Sequence, residues 1–423
     1  MSASQGLGET SPVPASPAWQ GRRVAVVVFS HYPSDPRPRR EAETLMQMGM
    51  QVEVICLKQK ADDLGTETFN GVHIRRVPLQ RRRGGKIGYV FQYVAFIAAA
   101  FFLLAFRSLT RRFDLVHVHN MPDVLVFSTL APKLRGAKVI LDLHDPMPEL
   151  MMTIFGLQRE SFAVNVLKRL ERLSIWFADA VLTVNEACRK IFSARSCAST
   201  KVRVVMNSPD ERIFQYRAAA PAAFAVRNPA APFVLMYHGS LVERHGLDLA
   251  VAAVDALKVM IPNIELRVYG HSTPFLQAVM ESVEARGLQK HIKFLGDKNL
   301  DQIVEAIDAC DVGIIPNRRS IFTELNTPTR IFEYLSRGKV VIAPAAPGIQ
   351  DYFTNDSLVF FALGNADDLA KQIQFVYSNP VAVDQIVRRG QEIYIDHRWI
   401  AERNRFLALV AELLKLPAPK AGN

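Results

Sequence analysis

The hydrophobic and polar positions of this chain follow two patterns that alternate along almost its whole length. Short runs rich in β-branched residues, such as Arg22–Phe29 and Asp114–Asn120, predict strands. The segments between the runs, about 10–15 residues long, have the spacing of helices that bury one face. Strands that alternate with helices in this way indicate βαβ units and parallel sheets.

The alternation pauses once and then restarts, which divides the chain into two similar halves. The pause, 216–232, is rich in alanine and proline and predicts an interdomain linker. We therefore predict two doubly wound parallel-sheet (Rossmann-like) domains, 21–215 and 233–397, that face each other across a cleft. Residues 1–20 predict a disordered leader, and 398–423 predict a C-terminal helix and tail.

One apolar run is unusual for such a domain. No charged residue occurs from Ile87 to Phe106, which is as long as the roughly 20 residues that a helix needs to cross a bilayer. The predicted strands before and after it should belong to one sheet, so a single span would divide that sheet between two sides of a membrane. Basic residues at both ends, in 81–86 and 107–112, favour both ends on the cytoplasmic side.

We therefore expect helix 87–106 to cover the sheet with one face and to enter the membrane interface with the other. Candidates for the membrane face are Phe91, Phe96, Phe101 and Phe102. A core helix covered by a second copy of the chain is the alternative.

Charge and cysteine content narrow the partners and the compartment. The net charge of the 423 residues is +10, which is compatible with nucleic acid, an anionic membrane surface or a phosphorylated substrate. The basic residues are dispersed and lack interleaved aromatics, which argues against nucleic acid. The four cysteines have no metal-binding spacing and are typical of a reducing compartment. We expect a cytoplasmic protein, peripheral on the inner face of the cell membrane.

The second half places candidate phosphate ligands at strand ends, where such sheets bind ligands. Gly239 begins a loop, and a helix starts near Gly246, so backbone N–H groups and the helix dipole suit a phosphate. Arg244 and His245 add donors. An ordinary βα loop is the alternative, and no G-x-G-x-x-G signature occurs at this strand end.

A second helix start, at Pro328, points to the same edge of the sheet. Glu333 lies one turn into that helix, where it can accept hydrogen bonds from ribose hydroxyls, and Arg330 can balance a diphosphate. The solvated face of an amphipathic helix remains the alternative.

In the first half, His144 and Asp145 follow a predicted strand directly, and His117 and His119 share one face of another. The three histidines could hold a metal, although hydrogen-bonded structural histidines are commoner. No D-x-D motif ends a strand, which argues against a metal-held nucleotide.

Three stretches together resemble a known family. "YHGSLVERHGLDLA", "TPTRIFEYLSRGKVVIAP" and "LVHVHN…VILDLHDPMPE" are similar to the family 4 retaining glycosyltransferases of GT-B fold, and the resemblance runs from about Arg22 to about Leu416. It implies transfer of a sugar from a nucleotide-diphosphate donor with retention of configuration. It implies no metal and no cofactor, with the donor in the second domain and the acceptor mainly in the first.

The resemblance also implies roles for single residues. Glu333 matches the second glutamate of the family's paired motif, which binds ribose, His144 matches the histidine that contacts the donor sugar, and Gly239 matches the glycine beside the diphosphate. The chain departs from the motif where the first glutamate should stand, because that position is Leu325 and Glu324 is next to it.

Two further departures concern the phosphate loop. Ser240 and His245 stand where the family usually has arginine and lysine. A subset of the family is similar in this respect, and the resemblance to it implies that Arg330 takes over part of the diphosphate binding. The full expected site comprises catalytic His144, Arg244 and Arg330, donor-binding Gly239, Ser240, His245, Thr329 and Glu333, and acceptor-side His119, Asn120 and Asp145.

We expect a lipid-linked or saccharide acceptor, such as a polyprenyl-diphosphate sugar, in surface polysaccharide or glycolipid assembly. Two alternatives stay open. A sugar-nucleotide epimerase of the same fold would need no acceptor, and a non-catalytic scaffold is suggested by the missing first glutamate.

Overall fold

The first domain is built on a mostly parallel sheet, as predicted. The computed structural model describes residues 17–80, 86–219 and 231–418. In the described chain the sheet has the order β3-β4-β2-β1-β5-β6-β7-β8, and the β3–β4 pair is antiparallel. Its strands are β1 (Arg23–Val28), β2 (Gln51–Lys58), β3 (Thr66–Phe69), β4 (Val72–Gln80), β5 (Leu115–His119), β6 (Lys138–Leu143), β7 (Ala180–Thr183) and β8 (Val202–Val204).

Helices cover both faces of this sheet. They are α1 (Pro36–Gln47), α2 (Lys86–Thr110), α3 (Leu130–Leu134), α4 (Met147–Phe155), α5 (Phe162–Phe177) and α6 (Glu186–Arg195). Two buried clusters of apolar side chains, one on each face, form the core.

The second domain repeats the plan with a parallel sheet of order β11-β10-β9-β12-β13-β14. Its strands are β9 (Phe233–His238), β10 (Ile264–Tyr269), β11 (Ile292–Phe294), β12 (Val312–Ile314), β13 (Val340–Pro344) and β14 (Val359–Phe361). The remaining helices are α7 (Leu247–Leu257), α8 (Pro274–Ala285), α9 (Leu300–Asp308), α10 (Ile321–Leu325), α11 (Thr329–Ser336), α12 (Pro347–Gln350), α13 (Ala366–Ser378), α14 (Pro380–Asp396) and α15 (Trp399–Leu414). The predicted fold of two doubly wound domains is confirmed.

The strand order places the ligand-binding edge of each sheet. The direction of the crossovers reverses between β1 and β5 in the first sheet and between β9 and β12 in the second. Ligands of doubly wound sheets bind beyond the carboxyl ends of the strands at such a reversal. The loops after β5, β6 and β9 therefore face the cleft.

Helix α2 contains the apolar run and is longer than predicted. Among the described residues it supplies the one segment, Val90–Thr110, that is long and apolar enough to cross a membrane, with a mean hydropathy of 1.9. β4 and β5, which flank it in sequence, belong to the same sheet, as predicted. Phe96, Ala100 and Leu104 are fully buried against that sheet. The expectation that Phe96 belongs to an outer face is therefore wrong.

The outer face of α2 is exposed and apolar. Its large side chains that are 60% or more exposed are Val90, Phe91, Val94, Phe102, Phe106 and Leu109. Large exposed apolar patches on soluble proteins mark surfaces of interaction. The helix thus contributes to the core with one side only.

Both ends of the described chain pack onto the first domain, which corrects the predicted start of that domain. Trp19 is fully buried, and its Nε1 donates to the carbonyl oxygen of Pro417 at 3.1 Å, so the folded domain begins before residue 21. Helix α15, Trp399–Leu414, is the predicted C-terminal helix, and it buries Phe406 and Val410 in the same cluster of the first domain. Residues 1–16 and 419–423 lie outside the described chain.

The linker prediction lies mostly outside the described residues, which omit 220–230. The described part belongs to the second domain. The N–H of Arg217 donates to the carbonyl of Ser336 at 2.8 Å, and the ring of Tyr216 stacks on that of Tyr394 with centroids 6.1 Å apart.

The buried position of Trp19 gives a first prediction. We expect Trp19→Ala to lower the free energy of unfolding by about 3–5 kcal/mol, because it leaves a cavity in the core. Trp176→Ala is the matched control, since Trp176 is 74% exposed, and should change it by less than about 0.5 kcal/mol. Urea unfolding followed by circular dichroism measures both. Equal, small losses would show that the first described residues are not part of the folded domain.

Candidate active site

A cavity of about 470 Å³ opens between the two domains. The loops after β6, β7 and β8 supply its first wall, and the loop after β9 and the start of α11 supply the second. Its lining residues are His144, Asp145, Val184, Asn207, His238, Gly239, Ser240, His245, Asn326, Thr327, Pro328, Thr329, Arg330 and Glu333. The cavity thus lies at the edge that the strand order predicts.

The loop after β9 brings backbone and guanidinium groups close together. Gly239 has a φ of +114°, which is strained for residues with a side chain. Arg330 of α11 crosses to this loop, and its Nη1 donates to the carbonyl of His238 at 2.6 Å. Its guanidinium also lies over the ring of Tyr237, 4.6 Å from the centroid. These contacts hold one cation at the mouth of the loop.

Glu333 lies one turn further along α11 and faces β9. Its Oε2 is 3.3 Å from Nε2 of His238. Burial raises the pKa of Glu333 to about 7, whereas burial and the charge of Arg330 lower the pKa of His238 to about 3. The histidine is therefore neutral when the glutamate titrates, and the pair is not an ion pair.

His245 is a neutral donor or acceptor in the same wall. Burial lowers the pKa of His245 to about 4, and its Nδ1 lies 2.8 Å from the carbonyl of Ser240. Gly246 begins α7 in a left-handed conformation, and a Cβ there would lie 1.9 Å from the carbonyl oxygen of Pro316. That close approach requires glycine at the start of the helix.

The first-domain wall is held by buried amides and histidines. The N–H of His144 donates to Oδ1 of Asn120 at 2.8 Å, and Nδ2 of Asn120 donates to the carbonyl of Asp145 at 3.0 Å. Nε2 of His144 lies 3.0 Å from Nδ1 of His119. Asn120 and His119 are buried and act behind the wall. Burial raises the pKa of Asp145, which does line the cavity.

Arg37 of α1 joins this wall to the sheet. Its Nε and Nη2 donate to the two carboxylate oxygens of Asp142 at 2.7 and 2.9 Å. Its Nη1 donates to the carbonyl of Val205 at 2.7 Å and to Oδ1 of Asn207 at 3.2 Å. Burial would raise the pKa of Asp142, but Arg37 and His144 outweigh it and hold that pKa well below its usual range.

Four buried groups beside Arg37 have the types and spacing of metal ligands. One ligand atom each of Glu41, His117, His119 and Asp142 lies within 4.8 Å of the others. Asp142 is engaged by both nitrogens of Arg37, and the charge of Arg37 therefore already balances one of the two carboxylates. We interpret the set as a structural charge network. His144, the third histidine of the predicted metal set, is not one of the four.

The structure brings most of the predicted site residues into one cavity. Those that line it are His144, Asp145, Gly239, Ser240, His245, Thr329, Arg330 and Glu333. Three others are placed elsewhere. His119 and Asn120 are buried behind the wall, so the prediction that they face the acceptor is wrong for their side chains. Arg244 does not line the cavity, because its guanidinium is turned towards the ring of Phe322, 5.9 Å away.

Glu324 does not replace the missing first glutamate in this cavity. Its Oε1 accepts a hydrogen bond from Arg319 at 2.9 Å, and it is not among the lining residues. Asn326 and Thr327 line the wall just after it. The amide of Asn185, from the first domain, donates to the carbonyl of Leu325 at 2.8 Å and to Oγ1 of Thr327 at 3.0 Å.

Sequence reasoning missed four polar lining residues: Asn207, His238, Asn326 and Thr327. Each had a signal in the chain, because His238 ends a strand, Asn207 follows one, and "NT" precedes the proline that begins α11. Position at a strand end or before a helix start was therefore informative, even without a charged side chain.

Comparisons with known proteins agree with this architecture. A family model described as "Glycosyl transferase 4-like domain" matches residues 34–208, and one described as "Glycosyl transferases group 1" matches 222–393. A 2-deoxystreptamine N-acetyl-D-glucosaminyltransferase of Streptomyces fradiae is 26% identical over 300 residues, which cover 64% of this chain and 69% of that protein.

Solved structures of glycosyltransferases share the fold. Sucrose-phosphate synthase of Thermosynechococcus elongatus has a TM-score of 0.73 at 16% identity, over 93% of this chain and 99% of that one. HepE of Anabaena, solved in complex with UDP, has a TM-score of 0.68 at 15% identity over the same shares. The two family models together span both domains, and the chain belongs to the group 1 glycosyltransferases with a family 4-like first domain and the GT-B fold.

Proposed function

We propose that the protein is a retaining, metal-independent glycosyltransferase that moves a sugar from a nucleoside-diphosphate donor to a lipid-linked acceptor at a membrane surface. The observation that carries the proposal is the cavity between the domains. There Arg330, the start of α11 and the Gly239 loop face His144 and Asp145 of the other domain. We infer a role in surface polysaccharide or glycolipid assembly, with the nucleotide sugar as co-substrate and no other cofactor.

The diphosphate fits the second-domain wall. The first turn of α11 presents free N–H groups and the positive end of a helix dipole, which favour an anion. Arg330 adds a fixed charge whose direction is set by its bond to the His238 carbonyl. Groups that are already oriented stabilise developing negative charge without reorganisation. They can therefore support the departing diphosphate without a metal ion.

The nucleoside fits a second cavity, of about 420 Å³, that continues from the first. Both share His238, Gly239 and Ser240, and the second is further lined by the loops after β10 and β11, including His271 and Asp297. Glu333 lines the first cavity, and its Oε2 is 3.3 Å from Nε2 of His238, which both cavities share. This position suits a carboxylate that accepts hydrogen bonds from ribose. Complexes of HepE with UDP and with UDP-glucose support a uridine donor.

The donor sugar then lies against His144 and the acceptor against Asp145. The acceptor hydroxyl attacks the anomeric carbon, the bond from that carbon to the diphosphate oxygen breaks, and the hydroxyl proton passes to the departing phosphate. His144 is oriented for this contact because its backbone N–H and its Nε2 are both engaged from behind. Its role is to hold the sugar.

The exposed apolar face of α2 supports a location at the membrane. That face exposes six large apolar side chains, and basic residues flank the helix in sequence. An amphipathic helix with basic neighbours binds in the plane of an anionic bilayer. We infer that the enzyme docks on the cytoplasmic face by α2, which would bring lipid-linked acceptors to the cleft.

Incubation with UDP- and GDP-sugars and a bacterial-type lipid extract tests the reaction by mass spectrometry. We expect nucleoside diphosphate release with a heavier lipid product, and loss of about a hundredfold or more in Arg330→Gln, which removes a donor to the leaving group. Arg244→Gln is the matched control and should lose less than tenfold, about 1.4 kcal/mol. An epimerised donor without transfer would identify an epimerase, and binding without turnover would identify a scaffold.

The raised pKa of Glu333 predicts pH-dependent donor binding. The carboxylate fraction falls as the pH drops through about 7, and only the carboxylate accepts from both ribose hydroxyls. We expect UDP affinity to fall about tenfold between about pH 8 and about pH 6, as measured by calorimetry. Glu333→Gln should bind more weakly at high pH and remove this dependence. The same pH profile in both proteins would contradict the ribose assignment.

Membrane docking by α2 is tested by sedimentation with vesicles that contain phosphatidylglycerol. We expect the double variant Phe102→Ser, Phe106→Ser to bind these vesicles about tenfold or more weakly than the unchanged protein, because it removes two exposed aromatic side chains from the interface. Val259→Ser with Met260→Ser is the control, since these residues are exposed on the second domain. Equal binding of both double variants would exclude α2 as the docking element.

A further inference from the structure

A separate cavity of about 770 Å³ lies at the amino-terminal edge of the first sheet. The first residues of β1 and β2, the β3–β4 hairpin and the last turn of α2 form it. The cleft lies at the carboxyl edge of the same sheet. The cavity is therefore not an extension of the site described above, and nothing in the proposed transfer uses it.

Basic side chains dominate the wall of this cavity. Its charged or titratable residues are Arg23, Glu53, Glu67, His73, Arg75, Arg107 and Arg111. Glu53 forms ion pairs with both Arg75 and Arg107, and Nη2 of Arg107 lies 2.8 Å from Oε2 of Glu53. Glu67 is paired with Arg76 at 2.6 Å. Three arginines thus form ion pairs with the two carboxylates.

Two further arginines face the cavity without an acidic partner. Within the described residues, the side chains of Arg23 and Arg111 make no ion pair. Nε and Nη1 of Arg23 are out of contact with water and have no hydrogen-bond partner there. Burial and the neighbouring charges of Arg111 and Arg107 lower the pKa of Arg23. Arg107 and Arg111 therefore repel the guanidinium of Arg23 beside one open space.

Such an arrangement matches a phosphate group. Guanidinium forks bind phosphate oxygens through paired, charge-assisted hydrogen bonds. An anion in the cavity would lie against the guanidinium groups of Arg23, Arg107 and Arg111 and offset the repulsion that the other two exert on Arg23. We propose that this cavity binds the phosphate of an anionic lipid headgroup.

We assign the phosphate to a lipid headgroup because the cavity lies beside α2. This assignment rests on the proposed membrane docking. Phe106 and Leu109, in the last turns of α2, are 68% and 71% exposed. Arg107 lies in the same turns, and Arg111 directly follows the helix. When these apolar side chains enter the interface, the cavity lies at the level of the headgroups. A phosphate there would fix the orientation of the enzyme on the surface.

Matched arginine substitutions test the proposal in the full chain. Arg111→Gln and Arg23→Gln each remove a cation from the cavity wall. Arg112→Gln is the control, because Arg112 is next in sequence but does not line the cavity. Its Nε donates instead to the carbonyl of Arg135 at 2.6 Å. Sedimentation with phosphatidylcholine vesicles, with and without phosphatidylglycerol, measures binding. We expect a loss of about fivefold for Arg112→Gln and of about tenfold or more for the two cavity variants.

Each result either supports or overturns the headgroup site. Equal losses in all three variants would show that only dispersed charge attracts the membrane, and would overturn the proposal. Calorimetry with inorganic phosphate distinguishes the source. Saturable phosphate binding that Arg111→Gln abolishes, without a selective loss on vesicles, would replace the lipid by a free phosphate. UDP binding, measured in parallel at the opposite edge, should be unchanged, so failure of the transferase proposal is recognised separately.

Discussion

The candidate site depends on one buried ion pair, that between Arg37 and Asp142. The pair connects α1 to β6, and the third nitrogen of Arg37 fixes the chain after β8 at Val205 and Asn207. Removing either partner of such a pair leaves an unpaired buried charge, which costs about 3–5 kcal/mol. The pair holds the His144 loop and Asn207 in one wall, so its geometry sets the shape of the cleft.

A second constraint crosses between the domains. Asn185 begins α6, where its Oδ1 accepts from the N–H of Cys188 at 2.8 Å, and the same side chain donates to the segment just before α11. The N–H of Glu186 also donates to the hydroxyl oxygen of Tyr352 at 2.8 Å. The start of α11, which we assign to the diphosphate, is therefore fixed by the other domain. Donor binding and domain closure should be coupled through this contact.

The sequence predicted features that depend on local pattern and missed those that depend on distant contacts. The doubly wound plan followed from alternating strand and helix signals. The predicted lining residues followed from positions after strands, from a helix start and from the family resemblance. Arg244 was misplaced because spacing does not give the direction in which a loop side chain turns. Trp19 is buried, and α15 returns to the first domain, because the two ends of the described chain pack together. A local sequence pattern does not reveal such a contact.

Helix α2 shows why composition alone leaves a function open. Its inner residues Phe96, Ala100 and Leu104 complete the core of the first sheet, while Phe102 and Phe106 are exposed. The same uncharged run therefore supplies core residues on one side of the helix and an exposed apolar surface on the other. The sheet that α2 covers carries the cleft at its carboxyl edge and the arginine cavity at its amino edge. If α2 lies in the interface, binding at the arginine cavity would orient the cleft relative to the bilayer, and would so select acceptors by their distance from the surface.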